Sequence, residues 1–125
     1  MVRRIVLICI ILALTSPSHG NDIRRFERAY FLHSACKDEL RELDGEPHHT
    51  ESMGRFCLGF FAGVLETHNY EMEKCHRSFV CWPEGIDIGQ MIRVYVKYMD
   101  DHQEHMDYYQ IITVIDAAQD AFECK

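Results

Sequence analysis

The chain has 125 residues, with 13 Lys and Arg against 20 Asp and Glu, and a net charge of -7. No basic face can dominate so acidic a chain, which excludes a general nucleic-acid binder. Its 47% hydrophobic and 26% charged residues exclude wholesale disorder, and its length holds one domain with at most a tail.

Residues 1–20 read as a secretory signal. Arg3 and Arg4 form a positive start, Ile5 to Leu14 an apolar run, and Thr15 to Gly20 a short polar end closing on small residues. Cleavage is expected after Gly20. The apolar run falls short of the roughly 20 residues a spanning helix needs. The exported chain, residues 21–125, keeps Cys36, Cys57, Cys75, Cys81 and Cys124. An oxidising compartment favours disulfides, and an odd count leaves one thiol over.

The pattern predicts an all-α fold, a small bundle of about four helices. The first runs from about Ile23 to Leu43, with Ile23, Phe26, Tyr30, Leu32, Cys36, Leu40 and Leu43 on one stripe. Gly45 suits a left-handed cap behind it. The second starts at Thr50 or Ser52 and ends near His68. Its core is Phe56 to Leu65, and Gly59 and Gly63, four apart, suggest close approach of another backbone. Residues 69–86 are expected to be irregular, because Pro83 and Gly85 oppose a helix. Asp87 and Gln90 form a capping-box pair that opens the third helix, with Ile88, Met91, Ile92, Tyr95, Val96 and Met99 facing the core. Asp100-Asp101 breaks it. The fourth is expected from about His102 to Phe122, with Met106, Tyr109, Ile112, Ile115, Ala118 and Phe122 on one side.

Little here marks an active site. His102 and His105 stand three apart, a spacing that can hold a metal but more often marks a solvated polar helix start. His48-His49 is a loop pair, and Cys75 beside His76 lacks the third group that a nucleophile's base needs. No phosphate loop or hydrolase elbow is present. A non-enzyme with no catalytic residue, metal or cofactor is therefore expected.

One constellation is more specific. Cys57-Leu58-Gly59-Phe60 is followed by Cys81-Trp82-Pro83-Glu84-Gly85-Ile86-Asp87-Ile88-Gly89-Gln90, then by His102-Gln103-Glu104, and finally by Ala121-Phe122-Glu123-Cys124. This order resembles the Rap/Tai family of periplasmic immunity proteins, over roughly Leu32 to Cys124. Gln103 and Glu123 stand where that family carries prolines. The resemblance implies a periplasmic protein that binds a toxin delivered by type VI secretion, typically a peptidoglycan amidase, and occludes its cleft. It also leaves room for a homodimer. The acidic side chains Glu71, Glu73, Glu84, Asp100, Asp101 and Glu104, in two stretches read as polar loops, are the candidate contacts for a basic toxin rim. The alternative is a chaperone-like or stress-response binding protein of the same compartment; a secreted ligand or metal carrier is a further reading.

Antiparallel packing of neighbouring helices would bring Cys36 towards Cys57 and Cys81 towards Cys124, with Cys75 free. Spacing alone leaves other connectivities open.

Overall fold

A computed structural model describes residues 24–46 and 51–122. After a short helical stretch at residues 24–26, four longer α-helices build the described part: α1 (Ala29–Leu43), α2 (Glu51–Cys75), α3 (Ile88–Asp101) and α4 (Gln110–Ala121). A single 3-10 turn, Gln103–His105, lies between α3 and α4, and no β-strand occurs among the described residues. None of the described helices is long and apolar enough to cross a membrane.

The helix expected from Ile23 is interrupted: residues 24–26 are helical, Arg28 is extended, and α1 begins at Ala29. The N–H groups of Ala29 and Tyr30, which have no intrahelical partner at a helix start, donate to the carbonyls of Tyr108 and Met106 at 2.8 and 2.9 Å. The Gln110 amide donates to Glu27 O at 3.0 Å, and its side chain donates to the carbonyls of Phe26 and Arg28. The Arg28 guanidinium donates to Asp107 O and lies 4.7 Å from the Tyr109 ring centroid. The chain before α1 is thus tied to the turn between α3 and α4. This tie also explains why the fourth helix starts at Gln110 rather than near His102: residues 106–109 are engaged in it. Gly45 closes α1 at φ 79°, with Gly45 N–H donating to Glu42 O and Glu46 N–H to Arg41 O. These are the paired bonds of a Schellman cap.

The second helix runs seven residues past its expected end, to Cys75. Residues 69–75 contain no Gly or Pro, so nothing local stops the helix before His76, whose φ of 54° is left-handed. Glu71 and Glu73 therefore sit on a helix, not in a loop as expected.

α1 packs most extensively on α2, and α3 packs against α4, α1 and α2. The core gathers Leu32, Cys36, Cys57, Phe61, Met91, Ile92, Tyr95, Met99 and Val114. A run of ring contacts, Phe26–Phe31–Phe56–Phe60–Phe61–Tyr95, crosses it with centroids 4.7 to 6.4 Å apart. The Cys36–Cys57 disulfide joins α1 to α2 inside this core.

The close approach does not occur at Gly59 and Gly63. A Cβ on either would meet nothing within 4 Å, and both are exposed. It occurs at Gly54, where a Cβ would lie 2.6 Å from a carboxylate oxygen of the buried Glu39 on α1. The core face of α4 also differs from the expected stripe. Gln110, Thr113, Val114, Ala117 and Ala118 are buried, whereas Tyr109 and Ile112 are exposed. Residues 111–115 are apolar on most sides of the helix, so periodicity cannot choose a face; the clamp at Gln110 does.

Candidate functional site

The six acidic candidates fall into two groups at opposite ends of α3. Fourteen residues separate these ends, about 20 Å at the helical rise.

At the start of α3 lies the connection between α2 and α3, residues 76–87. Glu71, near the end of α2, accepts hydrogen bonds from the Ser78 hydroxyl at 2.7 Å and from the Phe79 N–H at 3.4 Å. The Ser78 hydroxyl in turn accepts from the Val80 N–H at 3.2 Å. Val80 and Trp82 are buried, and the Trp82 ring meets Phe122 edge-on at 5.9 Å. Cys81 is disulfide-bonded. The Cys124 half of the expected second crosslink lies outside the described residues; Cys75 is free and exposed. Gly85, at φ 77°, supplies the left-handed residue of the Pro83–Ile86 turn, closed by Ile86 N–H on Pro83 O at 3.3 Å. Asp87 then caps α3: its carboxylate accepts from Gln90 N–H at 2.8 Å, and the Gln90 side chain accepts from Asp87 N–H. Such a cap contributes about 1 kcal/mol. The connection is therefore held from both ends, although it contains no regular structure. Glu84 is exposed at its turn, and Glu73 is exposed beside Lys74 on α2.

At the far end of α3, Asp100 is met by His33 Nε2 at 2.9 Å and Lys37 Nζ at 3.3 Å. Lys97 pairs with Asp101 at 2.7 Å, and the hydrogen bond from Lys97 holds the Asp101 carboxyl below the usual carboxylate range. Glu104 lies exposed in the 3-10 turn. The His102 Nδ1 donates to Tyr98 O, and the rings of Tyr98, His102, His105 and Tyr108 form a stack with successive centroids 4.1, 5.4 and 4.6 Å apart. Tyr98 and His105 share a 2.9 Å hydrogen bond. Burial, with nearby Asp116, Asp120 and Glu104, pushes the Tyr98 hydroxyl up. Among the described residues no group of three or more His, Cys, Asp or Glu could hold a metal ion. The histidine spacing instead serves this ring stack. His48 and His49 lie outside the described residues.

Sequence reasoning missed the apolar surface beside the first group. Phe79 stands 74% exposed between Ser78 and the buried Val80. It forms one wall of a groove of about 490 Å³ that runs between α2 and α4 along Phe60, Val64, Ile111 and Ile115. The excess of apolar residues at 111–115, beyond what one core face needs, was the available signal.

A family model described as Rap1a immunity proteins matches residues 29–124. No curated protein and no solved structure gave a match. The matched span opens on the first residue of α1, where the clamp to the α3–α4 turn begins, and takes in all four helices and the braced connection. The chain belongs to the Rap1a immunity protein family.

Proposed function

We propose that this chain, exported to the periplasm with its signal cleaved near Gly20, binds one secreted effector of type VI secretion and covers its catalytic cleft. The effector is a peptidoglycan amidase. Family membership carries the reading. The physical form of the molecule agrees with it. Inhibition by occlusion needs a rigid scaffold presenting a shaped surface rather than a reactive group, and the connection at residues 76–87 is braced by Glu71 and held by the cap at Asp87. Binding segments on a rigid scaffold lose little freedom on association.

Of the two acidic groups, we place the contact at the start of α3. Asp100 is held by both His33 and Lys37, whereas Glu84 stands exposed at the turn of the braced segment; Glu73 and Asp101 each carry one exposed lysine pair and do not distinguish the two ends. Glu73 and Glu84 flank the braced segment and would steer a basic rim towards it. A homodimer would be compatible with this arrangement.

A periplasmic chaperone would also expose apolar surface, and the groove beside Phe79 is such a surface. The two readings part on partner number: a chaperone holds many unfolded clients, an immunity protein one folded toxin. The test is co-expression of the exported chain with the hydrolase encoded beside it, scored by cell lysis and by gel filtration. Protection from lysis with a stoichiometric complex is expected. Continued lysis with folded protein in the periplasm and no complex would remove immunity to that toxin.

A further inference from the structure

The acidic side chains around residues 76–87 can account for fast association, but exposed charges contribute little to tight binding. The affinity must come from elsewhere, and one surface is built to supply it. Phe79 exposes 74% of its area in a connection braced by hydrogen bonds to Glu71. Its N–H is held by the Glu71 carboxylate, the preceding Ser78 is tied to the same carboxylate, and the following Val80 is buried. An aromatic side chain kept out of the core in a fixed position has the character of an interface anchor, because its ordering is complete before the partner arrives. The groove at its side is almost wholly apolar; among the described residues, Glu71 is the one charged residue in its wall. It continues onto Ile111, which is 46% exposed at the start of α4. Gly63 lies in its floor with open space above its Cα, so an incoming group can approach the α2 backbone.

We infer that Phe79 and this groove are the affinity-bearing contact for the toxin, taking an apolar side chain that is flanked on the toxin by a Lys or Arg. The basic neighbour is indicated by charge: the full sequence carries -7, loss of Arg3 and Arg4 with the signal makes the exported chain more acidic still, and the charged residue among the described groove residues is a carboxylate. This rests on the proposed toxin-binding function and deepens it. The acids steer and the apolar contact holds, an apolar centre within a polar rim. Glu71 is a positioning residue, acting through Ser78 and Phe79.

Phe79→Asp and Ile111→Asp test it against the hydrolase encoded beside this chain. Both positions are exposed, and an aspartate in the first turn of α4 suits the helix N-terminus, so both variants should fold and melt close to the parent. Each is expected to weaken the complex at least about thirtyfold, chiefly through faster dissociation. Glu73→Gln with Glu84→Gln should slow association and leave dissociation within about twofold. Glu71→Ala should weaken binding through the freed connection, with Phe79 intact. If the parent binds and both aspartate variants bind equally well, the anchor assignment fails while immunity stands. A change in the free protein's oligomeric state in either variant would give the groove to a second copy of this chain, and also overturn the assignment. No complex with the parent would overturn the function and this surface together.

Discussion

His33 shows how a single residue can depart from its sequence pattern. A polar ring between Leu32 and Ser34, it is only 9% exposed on α1, with Nε2 against Asp100. Burial lowers the imidazole's pKa from its ordinary value of 6.5, outweighing the Asp100 hydrogen bond that raises it. With the folded value below the unfolded one, the unfolded chain binds the proton first as pH falls. The contribution of neutral His33 is therefore complete above 6.5 and is lost as pH falls through the lower folded value. Melting should weaken on acidification from about pH 7.5 to about pH 5, and the slope should be shallower in His33→Gln. Equal slopes in the two proteins would show that other groups set the acid limit. Asp87 lies at the opposite extreme: its cap was legible because both partners of the box are three residues apart. His33 was not, because its environment is made by α3.

Among the elements, α2 separates what a helix does alone from what its neighbours do to it. Its apolar run around Phe56 to Leu65 was plain in the sequence, and so was a helix there. Two glycines on one face suggested a tight crossing, but the crossing is at Gly54. Gly59 carries only the entropic cost of glycine, since no neighbour occupies the space above it. Gly59→Ala should therefore raise stability by about 1 kcal/mol, read as a higher melting midpoint. A lower midpoint would mean that another backbone packs on that face after all. α4 makes the complementary case. Its residues favour a helix, but too many are apolar for the pattern to show which side is buried.

For the whole molecule, the two ends of the described chain are each tied back to it, at opposite ends of α4. The segment before α1 is bonded to the turn before α4, and Phe122 after α4 packs on Trp82 before α3. The second contact places the end of the described chain beside Cys81, which is disulfide-bonded, while Cys36 is joined to Cys57 and Cys75 is free. We propose Cys124 as the partner of Cys81. Non-reducing peptide mapping of the exported protein should recover Cys81 joined to Cys124 and an alkylatable Cys75. A Cys75–Cys81 peptide would reverse the assignment. A crosslink here would brace the same connection that carries Phe79, contributing roughly 2–4 kcal/mol to a small domain's marginal stability.

By itself the sequence determined the helical class, the left-handed cap at Gly45, the box at Asp87 and most of the core face of α3. Each depends on residues within a turn or two of one another, and local hydrogen bonding and 3.6-residue periodicity act at that range. It also carried the family, through the spacing of Cys57, the Cys81–Gln90 element and Cys124. Tertiary structure alone decided where α1 and α4 begin, which side of α4 is buried, where α1 and α2 approach and which loop is braced. The starts of α1 and α4 and the facing of α4 rest on bonds such as Ala29 to Tyr108 and Gln110 to Glu27, between residues some eighty positions apart; the α1–α2 approach and the braced loop rest on side-chain packing and bonding between Glu39 and Gly54 and between Glu71 and Ser78, which no propensity encodes. Phe79 belongs with them. An exposed aromatic looks the same in sequence as a buried one, and only the packing around it left this one outside.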